Sequence, residues 1–480
     1  MLCVLTVLAV TKPSTSNTSS DFSNIIINSS YQDGFSSSQI ASEYWFSSDV
    51  PFEENSNFSS NILSYDNLLN SNDNLLSSSS NLVVSNGNLI NSNNSITSSN
   101  ISEPTKPNTT VKFKNMKAIW ISYYELYFVG LSKNAAYQKV DKMLDKIKDF
   151  GLNTVICHVR GNSDSLYPSD YFPFTDYLTG TQGVDPGYDL FEYMVNAAHK
   201  RNLAIHAWIN PYRVSNTSDD YNTLSDNNPA KIWKTDADSS NDRYVIPYNN
   251  KLYYNPAYPE VRKLVINGVR EILEKYDVDG IQFDDYFYPT SDTTFDKYEY
   301  DNYCSTTPNP ISLGDWRRAN VNALVQNVYS AVHQYNDIVF GISPAADVNK
   351  NYSQYYADIE KWISTSGYID YIAPQIYWGY EYPKDQYKFN NMLDKWMNLS
   401  RKNNIAIYIG LAGYKINEID STSDEWKTKN DILARQAKES FDKKTNGIML
   451  FSYTSIFNDT TEQIFLEQRQ YLKEYLKTVE

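Results

Sequence analysis

The residues in this chain best suited to acid–base chemistry are Asp284 and Asp285, adjacent carboxylates at the end of an apolar run, Gly280-Ile281-Gln282-Phe283. In a strand, side chains alternate between two faces, so Ile281 and Phe283 share one face and Gly280, Gln282 and Asp284 share the other. A strand that is half polar on its inward face and ends in acids is a poor plain-core strand. It suits the C-terminal mouth of a parallel barrel, where such acids do chemistry. Asp284 points inward by parity. Asp285 stands where the strand has ended, so both the cleft and the helix layer are open to it, the latter as a loop cap or ion-pair partner.

Other groups sit near comparable strand ends. His158 and Arg160 share one parity, as do His206, Trp208 and Asn210, so these five are expected to line the same mouth. The loops add Glu125 after the first strand, Asp164 and Tyr167 after the second, Tyr212 and Arg213 after the third, and Glu381 after the sixth. Each loop acid could equally be a plain loop residue, and each strand histidine a satisfied core residue.

Eight short β-rich runs are predicted at 117–123, 152–159, 203–209, 278–284, 338–343, 369–376, 405–411 and 446–452. Helical spacing occupies 134–149, 187–201, 257–276, 312–335, 352–366, 386–403, 425–442 and 459–477. Eight strands, each followed by a helix, define an α/β protein of the (β/α)8 TIM-barrel class. Helix-to-strand connections are short, whereas strand-to-helix loops reach roughly 27 residues after strands two and four and nearly 50 after strand three. A doubly wound open sheet would carry a Gly-rich phosphate turn after its first strand, and none is present.

Composition divides the 480 residues. Residues 12–110 are Ser/Asn-rich without apolar periodicity and read as a disordered, low-complexity linker. Residues 111–480 read as the barrel. Residues 1–11 contain an apolar run of signal-peptide length, without a basic flank or clear cleavage site, which implies a secreted or cell-surface protein. Residues 1–110 hold nine acids and two bases, so −7 of the net −15 lies there and about −8 in the remainder. An acidic chain without a basic cluster argues against nucleic acid as partner, and no run is long enough to span a membrane. With four histidines and three isolated cysteines, a His-rich zinc site, other metal centres and cofactors are not expected. A Gly-x-Ser-x-Gly turn for Ser-His-Asp catalysis is absent. The 41 tyrosines and nine tryptophans suit sugar rings, although ordinary packing accounts for most of them. The composition leaves oligomeric state open.

The strings Ala118-Ile119-Trp120-Ile121-Ser122, His158-Val159-Arg160, Leu178-Thr179-Gly180-Thr181-Gln182-Gly183, His206-Ala207-Trp208-Ile209-Asn210-Pro211-Tyr212-Arg213, Phe283-Asp284-Asp285-Tyr286-Phe287-Tyr288-Pro289, Gly341-Ile342-Ser343-Pro344 and Ala373-Pro374-Gln375-Ile376-Tyr377-Trp378 occur in that order. Together they resemble glycosyl hydrolase-like family 10, once catalogued as domain of unknown function 187, over residues 115–455. The resemblance implies a barrel that acts on glycans, secreted or lipid-anchored. Some members cut peptidoglycan strands stripped of their stem peptides. One departure is Arg160-Gly161, where many relatives have Arg-Pro.

On this reading Asp284 and Asp285 are the catalytic candidates, because glycosidic bond cleavage needs one carboxyl to protonate the leaving oxygen and usually a second as nucleophile or base. Gln375, Tyr377, Trp378 and Tyr453 join the groups named above as polysaccharide-binding candidates, with Trp208, Tyr377, Trp378 and Tyr453 as stacking platforms. Asp279-Gly280-Ile281-Gln282-Phe283-Asp284 is also similar to the strand-four motif of chitinase-like barrels, in which the substrate's acetamido group is the nucleophile. Tyr286 stands where their acid would be, which leaves the general acid unassigned. The competing reading is a non-catalytic glycan-binding barrel, which would have no need of paired acids.

Residues 12–110 offer too little apolar surface to offset their ordering entropy. Deleting them is expected to leave the thermal melting temperature of the barrel unchanged, and a large drop would show that the segment packs on it.

Overall fold

The computed structural model describes residues 113–479 except Tyr286. The expected signal segment at 1–11, the linker at 12–110 and the Tyr286 side chain lie outside the described residues.

Eight parallel strands close a barrel: β1 (Met116–Ile121), β2 (Thr154–Arg160), β3 (Ala204–Ile209), β4 (Gly280–Phe283), β5 (Val339–Ile342), β6 (Tyr371–Ile372), β7 (Ala406–Ala412) and β8 (Gly447–Phe451). They follow chain order around the ring, with β8 pairing β1. The surrounding helices are α1 (Lys133–Phe150), α2 (Leu190–Lys200), α3 (Pro259–Lys275), α4 (Leu313–Val332), α5 (Ile359–Ser364), α6 (Phe389–Met397), α7 (Ile432–Asp442) and α8 (Gln463–Thr478). All eight expected strand–helix units are present. Outward strand residues such as Val155, Ile205 and Ile281 are fully buried with Ile147, Val265 and Val269 of the helices.

Three boundaries differ from expectation. The strand expected at 369–376 shrinks to Tyr371–Ile372, and Gln375 adds only isolated bridges to Ala345 and Gly410. The helix expected over 352–366 is a π-helical turn, Asn351–Tyr355, then α5, divided at Tyr356 with φ 55°. The segment 425–442 splits into Glu425–Thr428 and α7. The long excursion after β3 folds into a three-stranded antiparallel sheet, with Lys251–Tyr254 between Arg213–Ser215 and Val245–Tyr248.

The base of the barrel carries one device four times. The residue preceding each even-numbered strand is Asn153, Asp279, Asp370 or Asn446. Its side-chain oxygen accepts the backbone N–H of the preceding strand's Lys117, Ile205, Phe340 or Ile407, at 2.8, 2.8, 2.7 and 2.9 Å. Its own N–H donates to that same residue's carbonyl, at 2.9, 2.9, 2.7 and 2.8 Å. Its carbonyl then accepts the first N–H of the next strand: Ala204, Val339, Ala406 and, across the closure, Met116. Each short side chain therefore satisfies a donor that the ladder leaves over, and locks three strands in register. Two of the four are tied to the helix layer by histidines, His199 to Asp279 at 2.9 Å and His333 to Asp370 at 3.0 Å.

Polar and aromatic side chains fill the bore. The Tyr371 hydroxyl bridges His206 Nδ1 and Gln282 Oε1, both at 3.1 Å. The ring of Tyr371 fits because its neighbour is Gly341, where a Cβ would lie 2.1 Å from it. Burial pushes His206 down to about 4, so it is neutral near pH 7.

Asp279→Ala strands the buried Ile205 N–H and removes the partner of His199, and is expected to cost about 2–3 kcal/mol in chemical denaturation, with Asp279→Asn costing less. The hydrogen bond to Asp279 raises the His199 pKa. That contribution is complete below the unfolded-state value near 6.5 and is lost as pH rises through the folded value. The gap between wild type and Asp279→Ala should therefore narrow above neutral pH.

Candidate active site

Strand parity places the mouth. His158 pairs with Trp208, and Trp208 with Gln282, so His158, Trp208 and, one step beyond Gln282, Asp284 face the bore. Trp208 stacks on His158 with ring centroids 3.6 Å apart at 11°, and its Nε1 donates to Asp284 Oδ2 at 3.1 Å. Tyr123, just past β1, meets the His158 ring edge-on at 5.2 Å. Neither ring nitrogen of His158 has a hydrogen-bond partner among the described residues. Burial, and then the nearby Arg213, hold it well below the usual histidine range, so it is a neutral ring. Asn210 is likewise buried with both side-chain amide atoms unpartnered among the described residues. Buried polar atoms left unsatisfied at a mouth are suited to a polar ligand.

The adjacent acids have different environments. Asp284 is 2% exposed and held by Trp208. Asp285 is half-buried, and desolvation pushes its carboxyl up to about 6, against the backbone amide, Lys350, a hydrogen bond with Gln375, and Arg213. Gln375 is oriented by its Nε2 donating to the Ser343 carbonyl at 3.0 Å. Tyr355 lies close enough to Asp285 to feel its charge. The loop leading away from Asp285 is anchored by Arg317, which is fully buried in an ion pair with Asp296, donates to the Tyr356 hydroxyl at 2.9 Å and lies over the Tyr288 ring.

Other expected site residues fall elsewhere. Arg160 does not share the mouth with His158. A register shift between the two makes Arg160 the partner of Ile209, on the outward face, where its guanidinium lies over Phe172 beside Gly268 of α3. The extra residue of a bulge reverses parity, and no rule of alternation anticipates it. Tyr167 packs on Phe191 and Tyr276 in the helix layer, and Tyr212 turns towards Arg262 of α3. Glu125 is consumed: Oε2 accepts Ser122 N–H, and Oε1 accepts Ser452 Oγ, Thr454 N–H and Thr454 Oγ1. It clamps the exit of β1 to that of β8. Tyr453 packs on Phe457, itself against Phe150 of α1, away from the mouth. His206 belongs to the network beneath the site.

Arg213 donates to the Gly161 carbonyl at 2.8 Å and lies over Tyr123. Asp164 accepts from Asn162 N–H and is pushed up to about 6, chiefly by burial. Tyr377 lies between Tyr414 and Phe451, and Trp378 stacks on Tyr387 at 4.8 Å. Tyr387 in turn donates to Asp347 at 2.8 Å. Glu381 contributes its backbone N–H to Glu425, which also caps Tyr380 N–H.

The residues that sequence reasoning missed are Tyr123, Lys350 and Tyr355. Lys350 and Tyr355 fall around a stretch whose spacing reads as plain helix, and Tyr123 has no signal beyond following β1. The glycine at 161 has a local reason, since a Cβ there would lie 2.7 Å from the Tyr123 ring.

Residues 115–428 match the model of the family described as Glycosyl hydrolase-like 10. The chain belongs to this family. It is 38% identical over 327 residues to "Glycosyl hydrolase YngK" of Bacillus subtilis (strain 168), an alignment covering 63% of this chain and 62% of that protein. It is 30% identical over 367 residues to "Glycosyl hydrolase DigH" of Escherichia coli O6:H1, covering 68% of this chain and 80% of that one. Among solved structures, the glycoside hydrolase domain of PgaB (BpsB) from Bordetella bronchiseptica shares the fold, with a TM-score of 0.50 and 12% identity over 75% of this chain and 99% of that one.

Trp208→Phe keeps a ring on His158 but removes the donor to Asp284. It is expected to melt within a few degrees of wild type while glycan affinity or turnover falls about tenfold, the loss of one buried hydrogen bond at the mouth. Unchanged binding and turnover would assign Trp208 to the core. Trp378→Ala, at a half-buried position, should weaken glycan binding several-fold without unfolding.

Proposed function

We propose that this chain is a secreted or cell-surface glycoside hydrolase that cleaves glycosidic bonds in cell-wall-type polysaccharide, with peptidoglycan glycan strands as its substrate. The observation that carries this reading is the division of environments between Asp284 and Asp285. Glycosidases need one carboxyl that is protonated at working pH and another that stays charged, and the raised carboxyl of Asp285 suits it to the first role. Asp285, half-buried and pushed up to about 6, is assigned as the general acid that protonates the leaving oxygen. Asp284, held by the Trp208 N–H, is assigned to the positive charge developing at the anomeric carbon, as nucleophile or by orienting a substrate acetamido group.

The neutral His158, Asn210, Gln375 and Arg213 supply donors and acceptors for sugar hydroxyls, and Trp378 supplies an aromatic face. Family membership and the names of YngK and DigH support hydrolysis as the reaction class. No helix among the described residues is long and apolar enough to cross a membrane.

The test is hydrolysis of purified wall glycans by the whole chain, with products read by mass. Asp284→Asn should lower kcat by roughly two or more orders of magnitude while affinity holds or rises. Asp285→Asn should lose comparable activity on wall glycan but retain much more on aryl glycosides, whose leaving groups need no proton. An acid must be protonated to act, so wild-type kcat should fall about tenfold per pH unit above pH 6, and Asp285→Asn should lack that limb. Near-normal turnover by Asp284→Asn would sink the assignment. No turnover by the intact protein on any glycan would leave a glycan-binding barrel.

A further inference from the structure

The outward-turned Arg160 poses a problem of charge. It is 1% exposed, and neither Nη1 nor Nη2 has a hydrogen-bond partner among the described residues. Beside it, Tyr167 is fully buried with its hydroxyl also unpartnered among them. The wall is made by the Phe172 ring, 4.3 Å from the guanidinium, and by the backbone of Gly268, where a Cβ would stand 2.3 Å from Nη1. The absence of a side chain at 268 is what leaves α3 room to pass the guanidinium.

The acids within electrostatic range are already engaged. Glu271 of α3 accepts from Ser169 Oγ at 2.5 Å, Asp170 N–H at 2.6 Å and Lys275 Nζ at 2.8 Å. Asp164 accepts from Asn162 N–H and is bonded by Thr175. Guanidinium does not deprotonate in proteins, so this cation cannot be neutralised by losing its proton. An uncompensated buried charge is among the most destabilising features a fold can hold, and it is normally matched by a counter-charge.

We propose that the unpartnered polar atoms of Arg160 and Tyr167, between β2, the loop after it and α3, form a buried chloride site, with Arg160 supplying the charge and two N–H donors and the Tyr167 hydroxyl a neutral donor. Two guanidinium N–H groups and one hydroxyl are a donor set suited to a small monovalent anion. Glu271 and Asp164 lie close enough to repel a divalent one. The site also backs the cleft wall: the Arg160 carbonyl accepts Asn210 N–H at 2.9 Å, and the next carbonyl, Gly161, accepts Arg213 Nε at 2.8 Å. The anion is thus a structural ligand that stiffens the segment carrying two cleft residues, and the inference does not depend on the reaction assigned above.

The test compares thermal melting of the intact protein in sodium chloride and in sodium gluconate at equal ionic strength, together with anomalous diffraction from crystals grown in sodium bromide. Chloride is expected to raise the melting temperature saturably, by several degrees, as for a ligand that binds only the folded state. Bromide should give an anomalous peak in contact with the Arg160 Nη atoms and the Tyr167 hydroxyl. Arg160→Met should melt identically in both salts. Tyr167→Phe, which removes one donor, should shift the chloride midpoint upward by about tenfold. Superimposable wild-type curves in the two salts, or ordered water in place of bromide, would overturn the proposal. Should Arg160→Met fail to fold, the bromide crystal and Tyr167→Phe still decide.

Discussion

The barrel depends on where its strands are held at the base. Asn153, Asp279, Asp370 and Asn446 each bind one residue of the preceding strand through both side chain and N–H, and pass a carbonyl to the next strand. A slip of one residue would break these reciprocal bonds and turn every inward side chain outward. Because the register is set at the base, parity alone carries it up β3 and β4 to Trp208 and Asp284. That is how the indole N–H comes to face the carboxylate at 3.1 Å.

This dependence explains what was legible in the sequence. Strand and helix alternation gave the eightfold architecture, because buried parallel strands and amphipathic helices have different periods. Asp284, Trp208 and His158 lie on the face that alternation assigns them. Legibility ends where regular strand ends. Arg160 is two residues from His158, yet the register shift between them sends it into the wall. Tyr212 and Tyr453, beyond the ends of β3 and β8, turn into outer layers. Glu125 follows β1 closely but is drawn into a clamp of four hydrogen bonds. A bulge or a competing local donor costs little and leaves no periodic trace.

The electrostatics of the mouth were less legible still. Adjacency in sequence says that two carboxyls are close; it does not say what surrounds each. Those surroundings are scattered over the chain: Trp208 donates to Asp284, while Gln375, Lys350 and Arg213 counter the desolvation of Asp285. Tyr355 comes beside Asp285 where the expected helix is broken, with a π-helical turn running from Asn351 to Tyr355 and Tyr356 in the left-handed region, and Lys350 stands just ahead of that turn. The wider turn delivers side chains at an angle that a regular helix of the same spacing would not.

The glycine of Arg160-Gly161 shows how one backbone position serves both sides of the wall. Its lack of a side chain lets the Tyr123 ring settle against the strand exit, where it meets His158 edge-on at 5.2 Å. Its carbonyl anchors Arg213, and Arg213 lies over that same Tyr123 ring and counters the desolvation of Asp285. A proline there would keep the carbonyl but push the ring away. The Arg213 arm would then lose the surface on which it rests. With glycine at 161, Tyr123, His158 and Arg213 pack as a set, and the shape of the cleft on the β1–β2 side follows from that set.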